Sequence, residues 1–319
     1  MLSYNHIYHA GNHADVFKHI TLLILLLHLN EKEKPYTVIE SHAGSGKYNL
    51  CDERSLKTND ADTGIKKLLI KIDVIKQQNE YLEKYFKIIE EYTSKNFYPG
   101  SPLLEEKLLR SFDKLILCEL NKKEYSLLKT NVKNAQVHNI DGFTSFSSLV
   151  PPKITGSSKI NKHTTEQRSN EPTKQISRGL FFSDPSYEEK DEYEKLITSF
   201  KKLNEKWKMG IFALWYPLLS YKSDKINSMK KKIIEIAKSS DSDCNILDAM
   251  LCVNSEDSHK EMPLEKLQSK IENPPRLYGS GMLIVNSPWK LDEKLRAVLP
   301  ILKENLQVDK NGSWKIELY

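Results

Sequence analysis

The stretch that most narrows the choice of fold is Gly179 to Tyr187, Gly-Leu-Phe-Phe-Ser-Asp-Pro-Ser-Tyr. A short run of apolar and small residues without alternation suits a strand buried on both faces, as in parallel sheets covered by helices. Pro185 has no N–H and ends the ladder, so Asp184 is expected at the carboxyl edge of a sheet. Open α/β sheets bind their ligands at that edge. A carboxylate, a Pro carbonyl and an aromatic ring within four residues form two acceptors beside a stacking plane. That combination suits a flat ring bearing an amino group, such as a nucleobase. An ordinary turn also uses Asp, Pro and Ser.

Three further acids stand at or just past the ends of strand-like runs. Glu40 closes Tyr36 to Glu40, Glu119 lies near the end of Lys114 to Leu120, and Asp141 tips Val137 to Asp141, followed by Gly142. With Asp184 they argue for a lined cleft and an adenosyl-type ligand, because an acid at such an edge can take ribose hydroxyls. The loop Ser41-His42-Ala43-Gly44-Ser45-Gly46 follows the first of these strands. It is no phosphate loop, since Ser41 stands where a Gly is needed and Tyr48 where a Ser or Thr would hold magnesium. Gly44 and Gly46 allow either close approach of a ligand to the backbone or simply a tight turn. Ser101 and Pro102 have the form of an N-cap and first helical residue, with N–H groups that can also receive a carboxylate.

The first nineteen residues hold four of the nine histidines, His6, His9, His13 and His19, together with Tyr4, Tyr8 and Lys18. Such a polar, aromatic start is unlike a core-forming segment. Metal ligation by His9 and His13, ordinary surface histidines, and an arm that stacks on bases and meets phosphate through Lys18 are the three readings. A helix is expected from about Ala14 until Pro35 stops it; its run Ile20 to Leu29 is too short to cross a bilayer. Residues 50–100 turn to Lys/Glu-rich helical periodicity, an inserted helical subdomain within one domain spanning 1–319. Residues 151–178 carry six Lys/Arg against two Glu and no aromatics, a polar and mobile loop. A helix to Trp207, a strand Gly210 to Tyr216 ended by Pro217, a basic helix around 225–238 and late strands at 245–253 and 281–286 complete an alternating α/β pattern. Net charge of +5 favours a polyanionic partner. Four cysteines without C-x-x-C spacing indicate neither a zinc ribbon nor a disulfide framework, and a reducing cytoplasm is expected.

The chain resembles the 23S rRNA adenine-N6 methyltransferases of the RlmJ family almost end to end. The resemblance rests on Met1-Leu2-Ser3-Tyr4 with His6, His9 to Val16, Lys18-His19, His42-Ala43-Gly44, Tyr98 to Pro102, Asp141-Gly142-Phe143, Asp184-Pro185 with Tyr187, Ala213 to Pro217, Ser280-Gly281-Met282 and Pro288 to Leu291. It implies a class I, Rossmann-like α/β fold with a mostly parallel seven-stranded sheet, and S-adenosylmethionine as methyl donor. By position, His19, His42, Ser101, Glu119, Asp141, Gly142 and Asp184 would contact the cofactor, and Asp184 would be catalytic. Tyr4 and His6 would face 23S rRNA, with Lys18 beside them; Pro185 would accept from the target amine and Tyr187 would stack on the base. A monomer without metal or membrane attachment is expected. The family's second Pro is Ser186 here, which bears on the stiffness of the motif. A DNA adenine methyltransferase and a catalytically lapsed RNA-binding protein are the alternatives.

Overall fold

A computed structural model describes residues 5–144, 178–189, 191–220, 222–257 and 276–319. Tyr4 and residues 151–177 of the expected loop lie outside them.

Helix α1 (His13–Asn30) begins at Asn12, whose side chain accepts the N–H of Asp15 at 2.9 Å and so satisfies one of the open donors of the first turn. Almost every residue of α1 is buried, which explains the run of apolar residues without a polar face. Ala10 and residues 12–19 are buried as well, against the expectation of a segment outside the core. Their charges are tolerated because Asp15 and Lys18, one helical turn apart, pair at 2.8 Å.

Strand β1 (Thr37–Glu40) is buried throughout and leads to β2 (Lys47–Asn49). The insertion follows, with α2 (Glu53–Thr58), α3 (Ile65–Leu69), α4 (Ile72–Ile75) and α5 (Glu80–Thr93), and β3 (Phe97–Pro99) closes it by pairing antiparallel with β2. Ile65, Leu68, Leu82, Tyr85 and Phe86 join α1 and one sheet face in a single apolar cluster. The insertion also holds the N-terminal arm. Ile65 N–H donates to the Gly11 carbonyl at 2.7 Å, His9 Nδ1 meets Asp60 Oδ2 at 2.8 Å, and the Thr58 hydroxyl donates to the Tyr8 carbonyl.

After α6 (Ser101–Leu108) come β4 (Lys114–Cys118), α7 (Lys122–Asn131), β5 (Gln136–His138), β6 (Gly179–Ser183), α8 (Glu192–Lys206), β7 (Ile211–Leu219), α9 (Ser223–Ser240), β8 (Ile246–Cys252), β9 (Leu277–Val285), α10 (Leu291–Leu306) and β10 (Ser313–Leu318). The main sheet runs β10-β8-β9-β7-β6-β1-β4-β5. From β7 to β5 the neighbours are parallel, and β9, β8 and β10 add antiparallel pairs. Among the described residues the main sheet has eight strands where seven are expected; the extra one, β10, covers the outer edge of β8. A second apolar cluster fills the other sheet face beneath α8 and α9.

Two local expectations fail for physical reasons. β7 continues through Pro217, because β6 has already ended opposite Leu214 and the β9 side still pairs Pro217 with Ser280. Ser101 is not a cap: Gly100 holds that position, and the Ser101 hydroxyl donates instead to Glu40.

Candidate active site

One cavity opens at the carboxyl ends of β1, β4, β5 and β6. His6, Lys18, His19, His42, Ser101, Glu119, Asp141, Gly142 and Asp184 all line it. Residues from six separate stretches thus converge on one cleft, as the strand-end acids suggested.

On the β1, β4 and β5 side, carboxylates are set by the backbone. Glu119 follows β4 directly and accepts N–H groups from Gly44 at 2.8 Å and Asn121 at 2.6 Å. Burial raises its carboxyl above the ordinary range despite these bonds. Asp141 accepts the Phe143 N–H at 2.8 Å, and the Phe143 ring meets His42 edge-on at 4.7 Å. Gly142 packs so closely that a Cβ would lie 2.1 Å from the Ser41 carbonyl, and Gly44 has a φ of +59°. The glycines at these two places are therefore needed by the backbone itself. His42 Nδ1 lies 2.6 Å from the Ser41 hydroxyl, and burial pulls the ring down to about 3. His19 is likewise pulled down to about 3 by burial and packs on Tyr98, with Nδ1 3.0 Å from the phenol oxygen. Both rings are neutral at physiological pH.

The β6 side is built from ion pairs between distant residues. Lys18 Nζ meets Asp184 Oδ2 as well as Asp15, and Asp15 Oδ2 meets His6 Nε2 at 2.9 Å and the Gly11 N–H at 2.9 Å. Burial works against both charges, yet the Lys18 ammonium stays well above its ordinary range through Asp15 and Asp184. Asp15 is held well below its own range, the opposing effect of burial being outweighed by His6 and Lys18. Lys18 is only 4% exposed. It is therefore an internal counter-ion, and the expected phosphate contact is withdrawn. Asp15 is absent from the expected site residues, although it lies in the family-resembling block His9 to Val16 and one helical turn from Lys18.

Pro185 is buried, and Tyr187 does not present a stacking plane. Its φ of +57° turns the ring out of the cavity and into the second cluster, where it is 1% exposed. The hydroxyl donates to the Trp215 carbonyl at 2.7 Å, and the ring neighbours Tyr193 and Trp215. Ser186 turns the other way and shares its hydroxyl with both Glu192 oxygens at 3.2 Å, a tie to the first turn of α8 that a proline could not make. Trp215, on the strand beside Asp184, has its ring centroid 5.8 Å from Lys18 Nζ.

The donor set fits an adenosyl cofactor. Glu119 has lone pairs left for a diol, Asp141 has one for an exocyclic amine, and His42, Phe143 and Leu120 supply apolar walls. No group of three or more His, Cys, Asp or Glu among the described residues is arranged to hold a metal, and no described helix is long and apolar enough to cross a membrane.

Residues 33–319 match the family model described as ribosomal RNA large subunit methyltransferase D, RlmJ. The chain is 32% identical over 324 residues to ribosomal RNA large subunit methyltransferase J of Haemophilus influenzae, covering 99% of this chain and 98% of that protein. The enzyme of the same name from Escherichia coli is 30% identical, over 96% of this chain and 94% of its own length. A Legionella pneumophila protein of known crystal structure superposes with a TM-score of 0.71 at 28% identity, covering 97% and 98% of the two chains.

Proposed function

The chain belongs to the RlmJ family of ribosomal RNA large subunit methyltransferases, and from that premise we propose that it methylates the N6 amine of an adenine in 23S rRNA, with S-adenosylmethionine as donor. The observation that carries the reading is that Asp184 lines the same cavity as Glu119 and Asp141.

When bound, the cofactor supplies an electrophilic methyl on a sulfonium. Glu119 is assigned to the ribose hydroxyls, Asp141 and Gly142 to the adenine end, and His19, His42 and Ser101 to the rest of the ligand. The adenine amine is a poor nucleophile because its lone pair is delocalised into the ring. Asp184 accepts one of its hydrogens, and the Pro185 carbonyl is assigned the other once substrate is seated. Both bonds would aim the lone pair at the methyl group of a bound cofactor. Lys18 fixes Asp184 Oδ2 and leaves its second oxygen for the amine. Asp184 or water takes the proton after transfer. Tyr4 and His6 are assigned to the RNA, and with Tyr187 packed away the target base is assigned to the ring of Trp215, 5.8 Å from Lys18 Nζ.

We assign the chain to a single domain, 1–319, with residues 50–100 as a helical insertion, acting as a cytoplasmic monomer without metal. The test is Asp184→Ala, assayed by methyl transfer to deproteinised rRNA and to DNA. A folded variant transferring at the wild-type rate, or a wild type preferring DNA, would overturn the reading; mass mapping of N6-methyladenine in rRNA from cells with and without the protein would locate the base.

A further inference from the structure

Two acids have no part in the chemistry above. Glu40 ends β1 and Glu105 lies within α6, and neither side chain reaches solvent. The Ser101 hydroxyl donates to Glu40 Oε1 at 2.5 Å. Glu40 Oε2 and both oxygens of Glu105 are buried with no hydrogen-bond donor among the described residues. Glu105 stands one helical turn after Ser101 on α6, so the helix face that brings Ser101 to Glu40 brings Glu105 to it as well, and each carboxyl feels the other directly. Two ionised carboxylates cannot remain so placed without a cation or a donor. Lys18, the cation that acts on Glu40, is committed to Asp15 and Asp184. Asp184 adds further negative charge to Glu40, while Cys118 beside Glu40 and Tyr36 near Glu105 are held neutral by burial.

A single proton satisfies the arrangement. With Glu105 protonated, its O–H donates to Glu40 Oε2, and Glu40 Oε1 remains the acceptor for Ser101. We infer that Glu40 and Glu105 share one proton, and that this pair is a positioning device for Ser101 in cofactor binding. By taking the Ser101 O–H, Glu40 turns the lone pairs of that hydroxyl toward the cavity, where they accept an N–H from the amino-acid end of the ligand. Glu105 does not touch the ligand; it acts by holding Glu40 in place. Burial raises both carboxyls above their ordinary range, which keeps a proton on the pair at neutral pH. The inference rests on the reading of the cavity as a S-adenosylmethionine site.

Glu105→Gln and Glu105→Met in the full chain separate a donor from mere bulk. Gln keeps an N–H for Glu40 and should hold S-adenosylmethionine within about threefold of wild-type affinity by calorimetric titration, whereas Met should weaken it about tenfold or more. A raised carboxyl stabilises the fold at low pH and loses that contribution as pH climbs from the unfolded value toward the folded one. The wild-type melting temperature should therefore fall relative to that of Glu105→Gln between pH 5 and 9. Equal loss of affinity in both variants would mean that a charge rather than a donor is needed, and full affinity in Glu105→Met would remove the positioning role. Parallel melting curves for wild type and Glu105→Gln would remove the shared proton. A wild type that bound no S-adenosylmethionine yet kept the pH divergence would overturn the cofactor reading and the role of Ser101, leaving the shared proton standing.

Discussion

The two sides of the cavity are held together by different means. On the β1, β4 and β5 side the acids are placed by backbone: Glu119 by the N–H groups of Gly44 and Asn121, Asp141 by that of Phe143. On the β6 side, Asp184 is placed by Lys18, which is placed by Asp15, which also holds His6. The first side keeps its acceptors open and presents them to a small ligand without rearrangement. The second spends most of its charge internally, so an incoming amine finds the one Asp184 oxygen that Lys18 leaves open. Cofactor binding and chemistry should accordingly respond to different mutations.

Lys18→Met should separate them most widely. It leaves Asp15 and Asp184 without their buried cation, a loss that typically costs about 3–5 kcal/mol. Turnover should drop by about a hundredfold or more as Asp184 loses its orientation. Affinity for S-adenosylmethionine, titrated under conditions where the variant is folded, should change by less than about threefold. A parallel loss of affinity would join the two sides into one unit.

The acid limb of stability provides a second test at His19, which lies on α1 where the two sides meet. Its folded value of about 3 is below the ordinary 6.5, so the neutral ring contributes stability above about pH 6.5 that is lost as pH falls toward 3. At pH 5 the loss is about 2 kcal/mol. Denaturant midpoints at pH 7 and 5 should differ in wild type and much less in His19→Gln. His42 shares that folded value and adds its own part of the slope, which His42→Gln should remove.

Glu119→Gln addresses the other side. One acceptor oxygen remains for the two N–H groups of Gly44 and Asn121, so unliganded stability should fall by about 1–2 kcal/mol. S-adenosylmethionine affinity should weaken about tenfold, and turnover at saturating cofactor should be kept. Loss of turnover at saturation would place Glu119 in the chemistry.

How much of this was legible in the sequence follows the same division. Strand-end acids can be read from a chain because position along a strand fixes position at the sheet edge, and Glu40, Glu119 and Asp184 were located that way. Pairings across long sequence separations cannot. Nothing local marks Lys18 as the partner of Asp184, 166 positions away, so a buried counter-ion was read as a phosphate contact. β10 was missed because Ser313–Leu318 is half exposed and lacks the apolar run of a central strand. The sequence alone puts a strand end at Pro217, because the cost of a proline in a strand depends on which neighbour has already stopped. The direction of Tyr187 depends on a positive φ, which the residue type disfavours.

Tyr187 gives the smallest and most discriminating test of the comparison. As a stacking partner it would belong to the chemistry; as placed, it pins the turn after Asp184 by a hydroxyl bond to the Trp215 carbonyl and by burial beside Tyr193. Tyr187→Phe removes that one bond and keeps the ring, so it should cost about 1 kcal/mol of stability and leave turnover within about threefold. Tyr187→Leu then removes the aromatic plane. If the ring is an anchor, turnover per folded molecule should survive that change within about fivefold, although the fold itself weakens. If it swings out to hold the base, the loss of stacking, worth about 1–3 kcal/mol, should lower turnover by about five- to a hundredfold in folded protein. Trp215→Leu should show the larger loss in the first case and the smaller in the second. Single-turnover methylation of an rRNA fragment, normalised to the folded fraction from circular dichroism, decides which ring backs the base.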